Sequence, residues 1–188
     1  FYSKCANYKV SLTLDDSLVV ASTGSQSIVE TKQYNDIDTS KFKTLQICAN
    51  NVRDFAFTTS KNFKVIDETY NGINILYYYY KDERPAESFE VIKKILDFNA
   101  DFAGKYPYKT YSVAESNFVH GGMEYPQLVL ISDDLGDYDT YVNVIVHETC
   151  HQWWYGLVGD NEYNCGWFDE GLSDYNTAIF YDAYPEYK

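Results

Sequence analysis

The stretch from Val142 to Asp174, VNVIVHETCHQWWYGLVGDNEYNCGWFDEGLSD, decides how the rest of the chain is read. Within it His147, Glu148 and His151 form His-Glu-x-x-His, and Glu170 follows after eighteen intervening residues. In a helix, His147 and His151 lie about 6 Å apart along one face, so both imidazoles reach one small cation. Glu148 sits roughly a third of a turn round, where its carboxylate can take a proton from a metal-activated water without displacing it. With Glu170 as third ligand, a fourth tetrahedral position stays open, which distinguishes a catalytic zinc from a structural one. The expected cofactor is one Zn2+ per chain.

The flanking residues predict burial. Val142, Val144, Ile145, Val146, Trp153, Trp154, Leu157 and Val158 make this helix apolar nearly all round. Polar side chains buried without partners cost roughly 1 to 3 kcal/mol each, so His147, Glu148 and His151 need a reason to be there, and a metal supplies it. Gly156 and Gly159 are expected to end the helix, and residues 160–166 to form a polar turn. WFDEGLSDYNTAIFYDAY then resumes helical spacing up to Pro185, with Glu170 on the first turn of an antiparallel partner helix. Asp174, one turn beyond Glu170, is a candidate acceptor for the second ring nitrogen of His147 or His151; a solvated acid on the helix face is the other reading.

Upstream lies GGMEYP, Gly121 to Pro126. Two glycines before a strand let another backbone approach closely, so a substrate peptide can hydrogen-bond along Gly121, Gly122 and Met123. Glu124 then projects toward the same cleft. A carboxylate near the zinc but outside its ligand set attracts a free α-amino group, which makes an enzyme count from the N-terminus. The alternative is a tight turn whose Glu is merely exposed. His120, the third histidine, has no ligand spacing with the helix and is assigned no catalytic role.

These two motifs in register resemble the aminopeptidase N family. His147-Glu148-x-x-His151 with Glu170 carries a likeness to gluzincin metallopeptidases in general. Gly121-Gly122-Met123-Glu124-Tyr125-Pro126, with Glu124 twenty-three residues ahead of His147, narrows it to the family that places Gly-x-Met-Glu-Asn before its zinc helix. Tyr125 stands where most relatives have Asn. The segment VRDFAFTTS, Val52 to Ser60, is similar to the junction between that family's β-rich N-terminal domain and its catalytic domain.

The resemblance implies an α+β chain: residues 1–60 as the end of a β-rich sandwich or saddle domain, residues 61–188 as the N-terminal α/β half of a thermolysin-like zinc peptidase domain. It assigns Glu124 to recognition of the substrate amine. It also implies an oxyanion-stabilising Tyr and a closing helical portion further downstream. The chain is therefore expected to be a piece of a longer protein, with the rest of the parent chain as its partner and with weak or no activity alone. The expected function is a zinc aminopeptidase acting on peptides with a free N-terminus. A thermolysin-like endopeptidase, which would also cut N-blocked peptides, and a non-catalytic zinc scaffold, in which Glu148 would have no role, are the alternatives.

Composition narrows the rest. The 188 residues are 45% apolar and 18% aromatic, ample for a core. A net charge of −13 disfavours nucleic acid and favours cationic ligands. No run of eighteen apolar residues and no signal-peptide pattern occur. Cys5, Cys48, Cys150 and Cys165 show no Cys-x-x-Cys pairing; Cys150 reads as helix packing, and bridges from Cys5 to Cys48 or from Cys150 to Cys165 stay open. YKVSLTL, LVVAS, SIVETKQY, KTLQICAN and VRDFAFTT read as strands, as do FKVIDETY, INILYYYY, TYSVAES and QLVLIS. Pro85 starts a helix with Phe89, Ile92, Ile95, Leu96 and Phe102 on one side.

Overall fold

A computed structural model describes residues 3–32, 38–159 and 161–187. The end of the SIVETKQY run and Asp160 of the expected polar turn lie outside the described residues. Alternating apolar runs punctuated by polar clusters produce short antiparallel strands at the start. In β1 (Ala6–Asp15), Val10, Leu12 and Leu14 point inward and pack on buried Val20, Leu45 and Ile47. β1 pairs with β4 (Phe42–Val52), whose other edge takes β3 (Ser25–Val29). β2 (Val19–Ser22) pairs with β5 (Phe57–Ser60) as a separate ribbon. The Asp15 carboxylate accepts the Ser17 N–H at 3.0 Å and closes the turn between β1 and β2.

The second sheet carries the site. It contains β6 (Lys64–Tyr70), β7 (Ile73–Tyr79), β8 (Thr110–Ser116), β9 (Gly122–Met123) and β10 (Leu128–Ser132), in the order β6-β7-β8-β10-β9. Asn71 and Gly72, at φ 50° and 81°, make the two-residue turn joining β6 to β7. β7, β8 and β10 run parallel, and α1 (Pro85–Ala103) provides the crossover from β7 to β8. Both faces of these strands are covered, so neighbours with opposite directions are both buried. Tyr77 packs under the helices, whereas Tyr78 packs with Ala21, Phe63, Ala114 and Leu128 on the face toward β2. The chain is thus a mixed α/β structure, compatible with the α+β expectation. No helix among the described residues is long and apolar enough to cross a membrane.

Two helix expectations need correction. Phe102 does not share the burial of Phe89, Ile92, Ile95 and Leu96: it is 48% exposed in the last turn of α1, where its ring stacks on Phe98 at 6.0 Å and otherwise faces solvent. The zinc-motif helix also ends earlier than Gly156. α2 (Tyr138–Cys150) is started by Asp137, whose carboxylate accepts the Thr140 N–H at 2.8 Å, and His151 is its last cap. Beyond it the Gly156 N–H bonds to the His151 carbonyl at 2.9 Å and the Val158 N–H to that of Trp153 at 2.8 Å, a wider five-residue spacing. Tyr155 takes φ 141°, which no α-helix continues through. Gly156 is required because a Cβ there would stand 2.5 Å from the Gln152 carbonyl oxygen.

A short helix, α3 (Glu162–Cys165), leads into α4 (Trp167–Ala183), which ends ahead of Pro185 as its sequence predicts. α4 packs on α2. All four cysteines are free thiols, so neither open bridge is formed.

Candidate metal centre

The end of α2 and the first turn of α4 bring His147, His151 and Glu170 together. The two histidine Nε2 atoms are 3.0 Å apart, and Glu170 Oε2 is 3.2 Å from that of His147 and 3.5 Å from that of His151. Donor atoms bonded to one zinc at about 2.0–2.1 Å in a tetrahedron lie about 3.3 Å from one another, so the three side chains fit such an ion. Their other contacts point the same way. His147 Nδ1 is 3.1 Å from Asp174 Oδ1, and His151 Nδ1 is 3.1 Å from the Trp154 carbonyl oxygen. Both partners only accept, so each Nδ1 carries the hydrogen and each Nε2 turns a lone pair inward.

Two lone pairs and a carboxylate this close repel unless positive charge lies among them. Without a metal, a proton fills that role. Burial pulls His151 down, but the hydrogen bond to Glu170 and the charges of Glu124 and Glu148 outweigh it and raise it to about 9. Contact with the His147 and His151 rings, the shared proton included, holds Glu170 well below the usual carboxylate range.

Glu148 sits beside this set. It is 6% exposed, and its Oε2 is buried without a hydrogen-bond partner. Burial, reinforced by the charge of Glu124, pushes its carboxyl up to about 8. Donor atoms of Glu124, Glu148 and His151 all lie within 4.8 Å of one another, so Glu124 faces the same space from the loop after β9. β9 forms the edge of its sheet, with Met123 opposite Leu130 and Gly122 opposite Ile131. Gly121 has φ 84°, which favours glycine. A Cβ on Gly122 would meet Glu148 Oε1 at 2.3 Å, so this glycine admits the Glu148 side chain. His120 is exposed, with its ring against Phe118 at 5.8 Å, outside the cluster.

Several residues not singled out in the sequence support the site. Gln152 is buried; its Oε1 accepts the Gln127 N–H at 2.7 Å and its Nε2 donates to the Tyr125 carbonyl at 3.1 Å. The helix end is thereby clamped to the loop carrying Glu124. Asn176 on α4 accepts from Trp154 Nε1 at 3.0 Å and donates to Asn99 Oδ1 at 2.7 Å. The only advance sign of Gln152 was its place next to His151; Asn99 and Asn176 are polar residues inside apolar helical runs, a signal that could have drawn attention to them.

Comparison with known proteins bears on this geometry. The family model described as "Peptidase family M1 domain" matches residues 87–188, more than half of the chain. The chain belongs to peptidase family M1. Leukotriene A-4 hydrolase of Xenopus laevis is 32% identical over 91 residues, 46% of this chain and 15% of that protein. Leucine aminopeptidase 2 of Kluyveromyces lactis is 29% identical over 87 residues, 45% of this chain and 13% of that enzyme. Leucine aminopeptidase 2-1 of Meyerozyma guilliermondii is 36% identical over 75 residues, 38% of this chain and 12% of that enzyme. These matches cover 15% or less of the relatives' own lengths. Membership of this zinc-dependent peptidase family agrees with the aminopeptidase resemblance of the sequence.

Proposed function

We propose that this chain carries the zinc-binding and amine-reading part of an aminopeptidase. His147, His151 and Glu170 would hold one Zn2+, and Asp174 would orient His147 through its Nδ1–H. When bound, the ion supplies a Lewis acid that polarises a peptide carbonyl and makes a water acidic. Glu148 accepts the proton of the attacking water at its free Oε2 and returns it to the nitrogen of the leaving amine. With an ion held by those three ligands, Glu148 would lose its upward shift and serve as a base at neutral pH. Glu124 pairs with the α-ammonium group of the substrate, while Gly121, Gly122 and Met123 offer an edge strand to the substrate backbone. In this reading residues 1–60 are the end of a β-rich domain and residues 61–188 the first half of a thermolysin-like, gluzincin-type catalytic domain.

The observation that carries the proposal is a second carboxylate, Glu124, facing Glu148 and His151 from outside the three-ligand set. Hydrolysis of aminoacyl anilides with free and with acetylated amino groups, measured on the full-length parent protein, tests it. Cleavage of the free form alone is expected; equal cleavage of both would point to an endopeptidase.

A further inference from the structure

We infer that Asn176 is a positioning residue for the metal ligands, fixing how α4 sits along α2 and, through Trp154, how His151 is oriented; this rests on the zinc reading above. Asn176 and its partners Asn99 and Cys150 are 1%, 0% and 0% exposed. The Asn176 amide makes three bonds: Nδ2 donates to Asn99 Oδ1 at 2.7 Å and to Cys150 Sγ at 3.2 Å, and Oδ1 accepts from Trp154 Nε1 at 3.0 Å. Asn99 Nδ2 and Thr177 Oγ1 approach the same sulfur, each at 3.8 Å. One side chain therefore ties together α1, α2, α4 and the turn that follows α2.

Stability alone does not call for this arrangement. Replacing mutually satisfied buried polar groups by apolar ones of similar volume is nearly neutral. What an apolar contact cannot supply is register: it tolerates sliding, whereas a one-residue slip of α4, about 1.5 Å and 100°, leaves buried amide groups unpaired. Glu170 and Asp174 lie six and two residues before Asn176 on the same helix. A slip would remove Glu170 Oε2 from its place 3.2 Å from His147 Nε2, and Asp174 Oδ1 from His147 Nδ1. Trp154 carries the second connection. Asn176 holds its indole, and its backbone carbonyl accepts the His151 Nδ1–H at 3.1 Å, which keeps the Nε2 lone pair turned inward.

Zinc affinity by competition with a chromophoric chelator, read beside thermal unfolding of the metal-free protein, tests this on the wild type and three variants. N176L should weaken zinc binding about 10- to 100-fold. The double variant N99L/N176L, which replaces the amide pair and leaves the Trp154 Nε1 donor unpaired, should regain part of the stability lost in N176L yet keep the affinity loss. W154F leaves the buried trio intact and removes only the indole donor; a loss of roughly fivefold is expected. Should N176L fail to fold, W154F and the double variant decide. Wild-type affinity in them, or affinity that recovers along with stability in the double variant, would overturn the inference. A wild type that binds no zinc would bring down the metal reading with it, whereas a zinc-binding wild type with unaltered variants overturns the positioning role alone.

Discussion

At the carboxyl ends of β7, β8 and β10, Glu115 is 1% exposed, and its Oε2 accepts the backbone N–H groups of Tyr80 at 2.6 Å and Lys81 at 2.7 Å. Beside it Asp133 accepts the Tyr80 hydroxyl at 2.7 Å and pairs with Lys81 Nζ at 2.9 Å. At the end of α2, Glu148 is 6% exposed, but its Oε2 has no partner and its neighbour Glu124 is another carboxylate. The consequences are opposite. Burial opposes ionisation of Asp133, yet Lys81 and Tyr80 outweigh it and hold the acid below its usual range. Burial and Glu124 push Glu148 up to about 8. A buried carboxylate that receives donors is part of the scaffold; one left unmet beside an imidazole is what the proposed proton transfer requires.

The contrast breaks most sharply at Glu148. In the full-length parent protein E148Q should lower turnover of aminoacyl anilides about 10²- to 10⁴-fold while zinc content stays at the wild-type value, which steady-state kinetics and metal analysis check together. Loss of zinc in that variant would instead make Glu148 a ligand. Glu124 comes next. Removing a charge-assisted contact to the substrate ammonium should cost E124A about 10- to 100-fold in kcat/KM for free-amine substrates and erase the preference over acetylated ones.

On the other side of the comparison, E115Q turns an amide donor or a weaker acceptor toward two backbone N–H groups. It should destabilise the fold by about 1 to 3 kcal/mol in a denaturant titration. Zinc affinity and turnover per folded molecule should not change. If they fall, the two corners are coupled and the contrast fails.

The smallest expected effect is a pH dependence of the metal-free protein. Glu148 rises from 4.5 to about 8 and His151 from 6.5 to about 9. Each folded value lies above its unfolded one, so each contributes stability that is complete below the unfolded value and lost as pH rises through the folded value. For Glu148 that window runs from about 4.5 to 8, for His151 from about 6.5 to 9. The melting temperature of chelator-treated protein should therefore decline from about pH 4.5 to 9, most steeply between about 6.5 and 8 where both groups contribute, and zinc should flatten the decline. A flat profile without zinc would mean that no proton is shared among these groups.

The i, i+4 spacing of His147 and His151 and the helical spacing around Glu170 made their convergence legible, because local periodicity sets which face of a helix a side chain occupies. The strands were legible for the same reason, including adjacent Tyr77 and Tyr78 buried on opposite faces. What escaped depends on distant partners. α2 stops at Cys150 although apolar residues continue past it, since Tyr155 leaves helical geometry and Gly156 presses on the Gln152 carbonyl. The glycine at 122 reads as an opening for a substrate, and nothing local shows that Glu148 fills the space beside it. Asn99 and Asn176 meet across 77 positions of sequence, a pairing no window of periodicity contains.

Metal titration of chelator-stripped protein measures whether His147, His151 and Glu170 share one cation. One tightly bound zinc per chain is expected in the wild type and in E148Q, and none at the same concentrations in H151A. A wild type that takes up no zinc, or an H151A that binds it as tightly, would contradict a shared cation.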